Sequence, residues 1–86
     1  MKLVFDDAFL CDLEYWARKN PEMIGRIIRM VREAGMNPMR GIGGPFLLPE
    51  WGNGVWGRQI LGPHILIYVF ELGRIICLRC RNRGLD

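Results

Sequence analysis

One histidine, three cysteines and two lysines are all that 86 residues contain of these types, and each scarcity excludes something. Cys11, Cys77 and Cys80 are odd in number and lack the paired spacing of a zinc site. Cys77 and Cys80 fall on opposite faces of an alternating strand, which argues against a mutual disulfide or a shared metal. Buried free thiols in a reducing compartment are expected instead. No stretch approaches the ~20 apolar residues of a membrane span. Asp6, Asp7, Asp12 and Glu14 interrupt any secretory core near the start. The expectation is a soluble, cytoplasmic protein with no cofactor, no metal and no membrane partner. Repeats, linkers and low-complexity tracts are absent too, so 1–86 reads as one domain, near the size at which a single core becomes marginal.

What the chain has in quantity is arginine. The net charge is only +3, but it is unevenly placed. Residues 1–39 balance their charges, whereas residues 40–86 set six arginines against Glu50, Glu71 and Asp86. Ten of the twelve basic side chains are arginine, whose planar fork suits phosphate and stacks on bases. A polyanionic partner is therefore expected of the C-terminal half.

The order of elements follows from periodicity. Lys2 to Phe5 reads as a short strand, and Asp6 as the cap of a helix running to about Arg18 with Phe9, Leu13 and Trp16 on one face. Asn20-Pro21 restarts the chain into a second helix carrying Met23, Ile24, Ile27, Ile28, Met30 and Val31 inward, with Gly35 as its stop. Residues 37–53 are loop, rich in glycine and proline, with a short edge strand near Phe46-Leu47-Leu48. Gly41-x-Gly43-Gly44 is not a phosphate loop, because no strand precedes it and no Lys-Ser/Thr follows. Three strands then run to Arg83, the first with Trp56, Arg58 and Ile60 on one face. The fold class is α+β, with two N-terminal helices packed on one face of a small antiparallel sheet.

The last strand ends in a comb of arginines. Strict alternation puts Ile75, Cys77, Arg79, Arg81 and Arg83 on one face and Ile76, Leu78 and Cys80 on the other. Three guanidinium groups on one side repel unless an anion or an acidic side chain faces them. Phosphate is the anion proposed; acidic residues of a protein partner, or Asp86 folding back, are the competing readings. Trp51 and Arg40 are candidates for holding bases and backbone of a single strand. His64 is the only side chain here that ordinarily titrates near neutrality.

Met1-Lys2-Leu3, Tyr15-Trp16, Asn37-Pro38, Gly41-x-Gly43-x-Pro45, Gly54-x-Trp56-x-Arg58, Ile60, His64, Tyr68 and Cys80-Arg81 together resemble the Txe/YoeB family of bacterial toxins, in one register and over nearly the whole chain. The resemblance implies a RelE-like fold, a ribosome-dependent messenger-RNA endoribonuclease, a cognate antitoxin, and ribosome and message as further partners; homodimerisation is left open. It also exposes departures. Phe46 stands where the family has a glutamate general base, Ile65 where it has an arginine, Arg83 where it has a histidine general acid, and Pro49 where it has a loop lysine. Arg58, His64, Tyr68 and Arg81 match. The catalytic candidates are then Arg81, Arg83, His64 and Arg58, in a cationic site like that of RelE; Arg79, Arg40 and Trp51 are candidates for binding RNA. The alternatives are a member that keeps the fold and antitoxin binding without cutting, and a gyrase-directed relative of the ParE kind.

Overall fold

Two helices and five strands emerge from these periodicities in the computed structural model, which describes residues 1–83. Strand β1 (Lys2–Phe5) leads into helix α1 (Asp7–Lys19). Asp6 starts that helix with its backbone: its carbonyl accepts from the amides of Phe9 and Leu10, and its carboxylate makes no cap. Phe9, Asp12 and Trp16 are the residues α1 buries, a stripe at i, i+3 and i+7.

Helix α2 (Glu22–Met36) buries Met23, Ile27, Met30, Val31 and Ala34. Ile28 was expected inward and is 42% exposed instead, because it lies off that stripe. Gly35 does not stop the helix; α2 continues through Met36 and is capped at Asn37. The glycine serves packing. A Cβ there would stand 3.0 Å from Leu3 Cδ2, so its absence lets α2 close on β1.

After the glycine-rich loop come β2 (Phe46–Leu47), a 3₁₀ turn at Pro49–Trp51, β3 (Val55–Leu61), β4 (His64–Glu71) and β5 (Arg74–Arg79). The sheet order is β1-β5-β4-β3-β2. Strands β2 to β5 form the expected antiparallel meander, but β1 pairs with β5 in parallel, Leu3 opposite Ile75 and Phe5 opposite Cys77. The sheet is therefore mixed, not antiparallel throughout. The two helices act as a crossover that carries the chain from one edge to the other, and the meander returns to β1 pointing the same way.

Both helices lie on one sheet face, as expected. There Phe9, Trp16, Ile27, Met30, Leu66, Tyr68, Ile75, Cys77 and Cys80 form the main core. On the opposite face Leu48, Val55 and Ile67 form a smaller cluster, with Ile65 and Leu78 against it.

A bulge corrects the reading of the arginine comb. Tyr68 pairs with Cys77 but Ile67 pairs with Arg79, so Leu78 is an extra residue in β5. Arg79 is thereby turned to the face of Ile67, away from Cys77. Strand β5 ends at Arg79, and Cys80 enters the same core as Cys77. The two thiols are thus not on opposite sides, and both are free. Among the described residues no helix is long and apolar enough to cross a membrane.

Candidate functional site

Asp12 organises the cationic end of the molecule. It sits on the buried stripe of α1 and is 1% exposed, so its charge needs partners. Cys80 donates its backbone N–H to Asp12 Oδ2 at 3.0 Å, and Arg83 Nε donates to Oδ1 at 2.8 Å. Arg81 Nε forms an ion pair with the same Oδ1 at 3.7 Å. Arg83 also donates from Nη2 to the carbonyl of Ala8 at 2.9 Å. Arg81 is further held by stacking, its Cζ 3.9 Å from the centre of the Tyr15 ring. The acidic group facing the comb is therefore Asp12; Asp86, the sequence's candidate for that part, lies outside the described residues.

These side chains border an open cleft of about 420 Å³, lined by Trp51, Ile65, Ile67, Arg79, Arg81, Asn82 and Arg83. Arg79 reaches it from the other sheet face, its Cζ 5.9 Å from the centre of the Trp51 ring. Trp51 stands in the 3₁₀ turn, 45% exposed. The structure thus brings together four of the seven candidates: Arg79, Arg81, Arg83 and Trp51.

The other three lie elsewhere. His64 opens β4 and packs edge-on against Trp16, ring centres 4.9 Å apart. Its Nδ1 accepts the backbone N–H of Asn82 at 3.1 Å, which fixes the tautomer with the proton on Nε2. That bond ties the arginine segment to β4, and His64 does not line the cleft. Arg40 is exposed in the loop after α2; it too is absent from the cleft lining, and its carbonyl serves as an acceptor.

Arg58 is the clearest correction. It is fully buried and its fork is spent inside the protein. Nε donates to the Tyr68 hydroxyl at 3.0 Å, Nη1 to Glu33 Oε1 at 3.2 Å, and Nη2 to the carbonyls of Asn37 and Arg40 at 2.6 and 2.9 Å. Glu33 also accepts the amide of Ile42, and Tyr68 donates to the carbonyl of Pro38 at 2.5 Å. The group closes the loop after α2 onto β3 and has no surface from which to meet a phosphate. Burial raises the Tyr68 pKa, against the opposing influence of Arg58.

The family described as the YoeB-like toxins of bacterial type II toxin-antitoxin systems matches residues 5–83. The chain belongs to this family. A curated relative, Toxin YoeB of Streptomyces coelicolor, is 29% identical over 94% of this chain and 96% of its own length. The YoeB/ParE toxin from Agrobacterium tumefaciens is 32% identical, with a TM-score of 0.85 over 94% of this chain and 96% of that one. The YoeB dimer from Staphylococcus aureus has a TM-score of 0.85 at 23% identity, covering 95% of each chain, a likeness of fold.

Three of the four positions at which this sequence departs from the resemblance line two neighbouring clefts, and Pro49 lines neither. Ile65 and Arg83 both line the arginine cleft. Phe46 and Ile65 line a neighbouring one. Glu50, the nearest carboxylate in sequence to Phe46, is exposed in the 3₁₀ turn and lines neither. Asp12 escaped sequence reasoning, although its place between Phe9 and Trp16 on an apolar stripe was a signal that it must be paired.

Proposed function

We propose that this YoeB-like toxin cuts messenger RNA on the ribosome, with the arginine cleft as its phosphate site. The observation that carries this reading is the convergence of Arg79, Arg81 and Arg83 beside an exposed Trp51. Cleavage through the RNA's own 2′-hydroxyl needs a base for that proton, cations for the charged phosphorane, and an acid for the leaving oxygen. Arginine forks supply the cations, and Trp51 supplies a surface for an unstacked base. Arg, Asn, Trp and Ile provide no group that exchanges a proton near neutrality. Charge stabilisation and orientation of the message by the ribosome are then what remain. Loss of general acid–base help costs about 10²–10⁴ in rate, so a slow nuclease is expected.

The test is primer extension on a translated message, with purified protein and with or without ribosomes. Cuts that require ribosomes and vanish in Arg81→Ala and Arg83→Ala are expected. A message left intact at high protein concentration overturns the reading. A second reading is favoured by the lack of a proton-exchanging group among the described residues that line the cleft: a member that binds its antitoxin and does not cut. Membership of a toxin-antitoxin family supports an antitoxin partner, and the basic half of the chain suits an acidic segment that folds on binding. A cytoplasmic location follows from a ribosomal target.

A further inference from the structure

A second cleft, of about 530 Å³, lies beside the first and shares Ile65 with it. Its lining differs in chemistry: three glycines, Pro63, Ile65, Phe46 and Gln59, with no charged side chain among the described residues. The two clefts are joined by the geometry of the sheet. Phe46 pairs with Gly57, Gly57 with Ile67, and Ile67 with Arg79. These four therefore form one row across β2, β3, β4 and β5 on the face without helices. Three strand spacings separate its ends, about 14 Å, more than one nucleotide occupies.

Phe46 is set into this row by an absence. A Cβ on Gly57 would stand 3.0 Å from the Phe46 ring and from Leu48 Cδ1. The bare backbone lets the ring settle over the sheet without either side chain giving way, and it remains 39% exposed. In the adjoining row Gln59 pairs with Ile65. One Gln59 amide hydrogen goes to the carbonyl of Gly62, at 3.0 Å. Among the described residues the second amide hydrogen and the amide oxygen have no partner, so Gln59 keeps a donor and an acceptor for a base edge.

Resting on the reading of the first cleft as an RNA phosphate site, we infer that the second cleft holds a nucleobase of the same strand. The base stacks on Phe46 and meets Gln59 with its edge. A backbone crossing the sheet along the row would place its phosphates at Arg79, Arg81 and Arg83 and this base at the opposite end. The absence of charge in the second cleft suits a base and does not suit a phosphate.

The experiment is binding of short single-stranded RNA to the whole chain, by fluorescence anisotropy at several salt concentrations. Phe46→Leu keeps an apolar side chain over Gly57 and removes the π-face; it should weaken binding about tenfold, the lower part of what a lost stack costs. Its salt dependence should match the unaltered chain, because no phosphate contact is lost. Phe46→Trp should restore the affinity. Arg81→Ala should instead flatten the salt slope by about one. An RNA with one abasic nucleotide at the right position should bind as weakly as Phe46→Leu, with no further loss when the two are combined. If Arg81→Ala flattens the slope while Phe46→Leu and Gln59→Ala change nothing, the second cleft holds no base and the phosphate reading stands. If none of the variants changes binding, both readings fall. If Phe46→Leu weakens only the antitoxin, the cleft serves a protein and the inference is overturned.

Discussion

Methionine at position 58 would test whether Arg58 is a structural brace. The change removes a fully buried guanidinium and keeps its apolar stem. Glu33 then faces an empty place, but its side chain is 27% exposed and water can reach it. The carbonyls of Asn37 and Arg40 lose their donors, at bonds that are only partly buried. The Tyr68 hydroxyl keeps Pro38 as an acceptor. Breaking a buried ion pair from one side costs about 3–5 kcal/mol, and these escapes place Arg58→Met at the lower end, about 3 kcal/mol. That is a large share of the ~5–15 kcal/mol that holds a domain of ordinary stability. Urea unfolding at matched slope reads the loss. Amide exchange locates it, because Ile42 donates to Glu33 and Gln59 to the carbonyl of Gly43; both should exchange faster. Arg58→Lys keeps the charge without the fork and should recover less than half the loss. A loss below about 1 kcal/mol with Ile42 and Gln59 still protected would refute the brace.

Alkaline pH should destabilise the protein through its buried thiols. Burial raises Cys77 to about 12 and raises Cys80 as well, with the Asp12 charge adding to the latter. A folded-state pKa above the unfolded one means that the native chain holds protons the unfolded chain has released. The contribution is therefore complete below the unfolded thiol value of about 8.5 and is lost as pH rises from there through the native values, by about 1.4 kcal/mol per pH unit for each thiol. Urea midpoints measured between pH 8 and 11 should fall, and Cys77→Ala should fall less steeply; parallel curves would contradict the assignment. Gly25 lies exposed inside α2, and a Cβ there meets nothing within 4 Å. Gly25→Ala should raise stability by about 0.5–1 kcal/mol, seen as a higher melting temperature, and no rise would mean that the glycine has a packing role.

The helices and the meander were legible because each follows its own period of apolar residues. The parallel pairing of β1 was not, since the partner of an edge strand is fixed by where a crossover lands and not by its own four residues. Leu78 shows a second limit: one extra residue reverses every face assignment beyond it, and no turn signal marks it in Ile76-Cys77-Leu78-Arg79. Arg58 was more readable than its assignment as a catalytic candidate suggested. Alternation places it between Trp56 and Ile60, and two neighbours in the core imply a third. The site was half legible for a related reason. Surface arginines announce themselves by charge, while Asp12, which aims two of them, looks in sequence like any other helical acid.

The contacts at Asp12 and Ala8 join residues near the beginning of the chain to Arg83, 71 and 75 positions later. Synthesis runs from the first of these toward the last. Helix α1 emerges long before Arg81 and Arg83 are free to reach it. A partly made chain on its own ribosome therefore exposes the carboxylate without the guanidiniums. The cleft comes into existence only when the segment from Cys80 to Arg83 has closed on α1, so a chain that has made α1 alone carries no phosphate site.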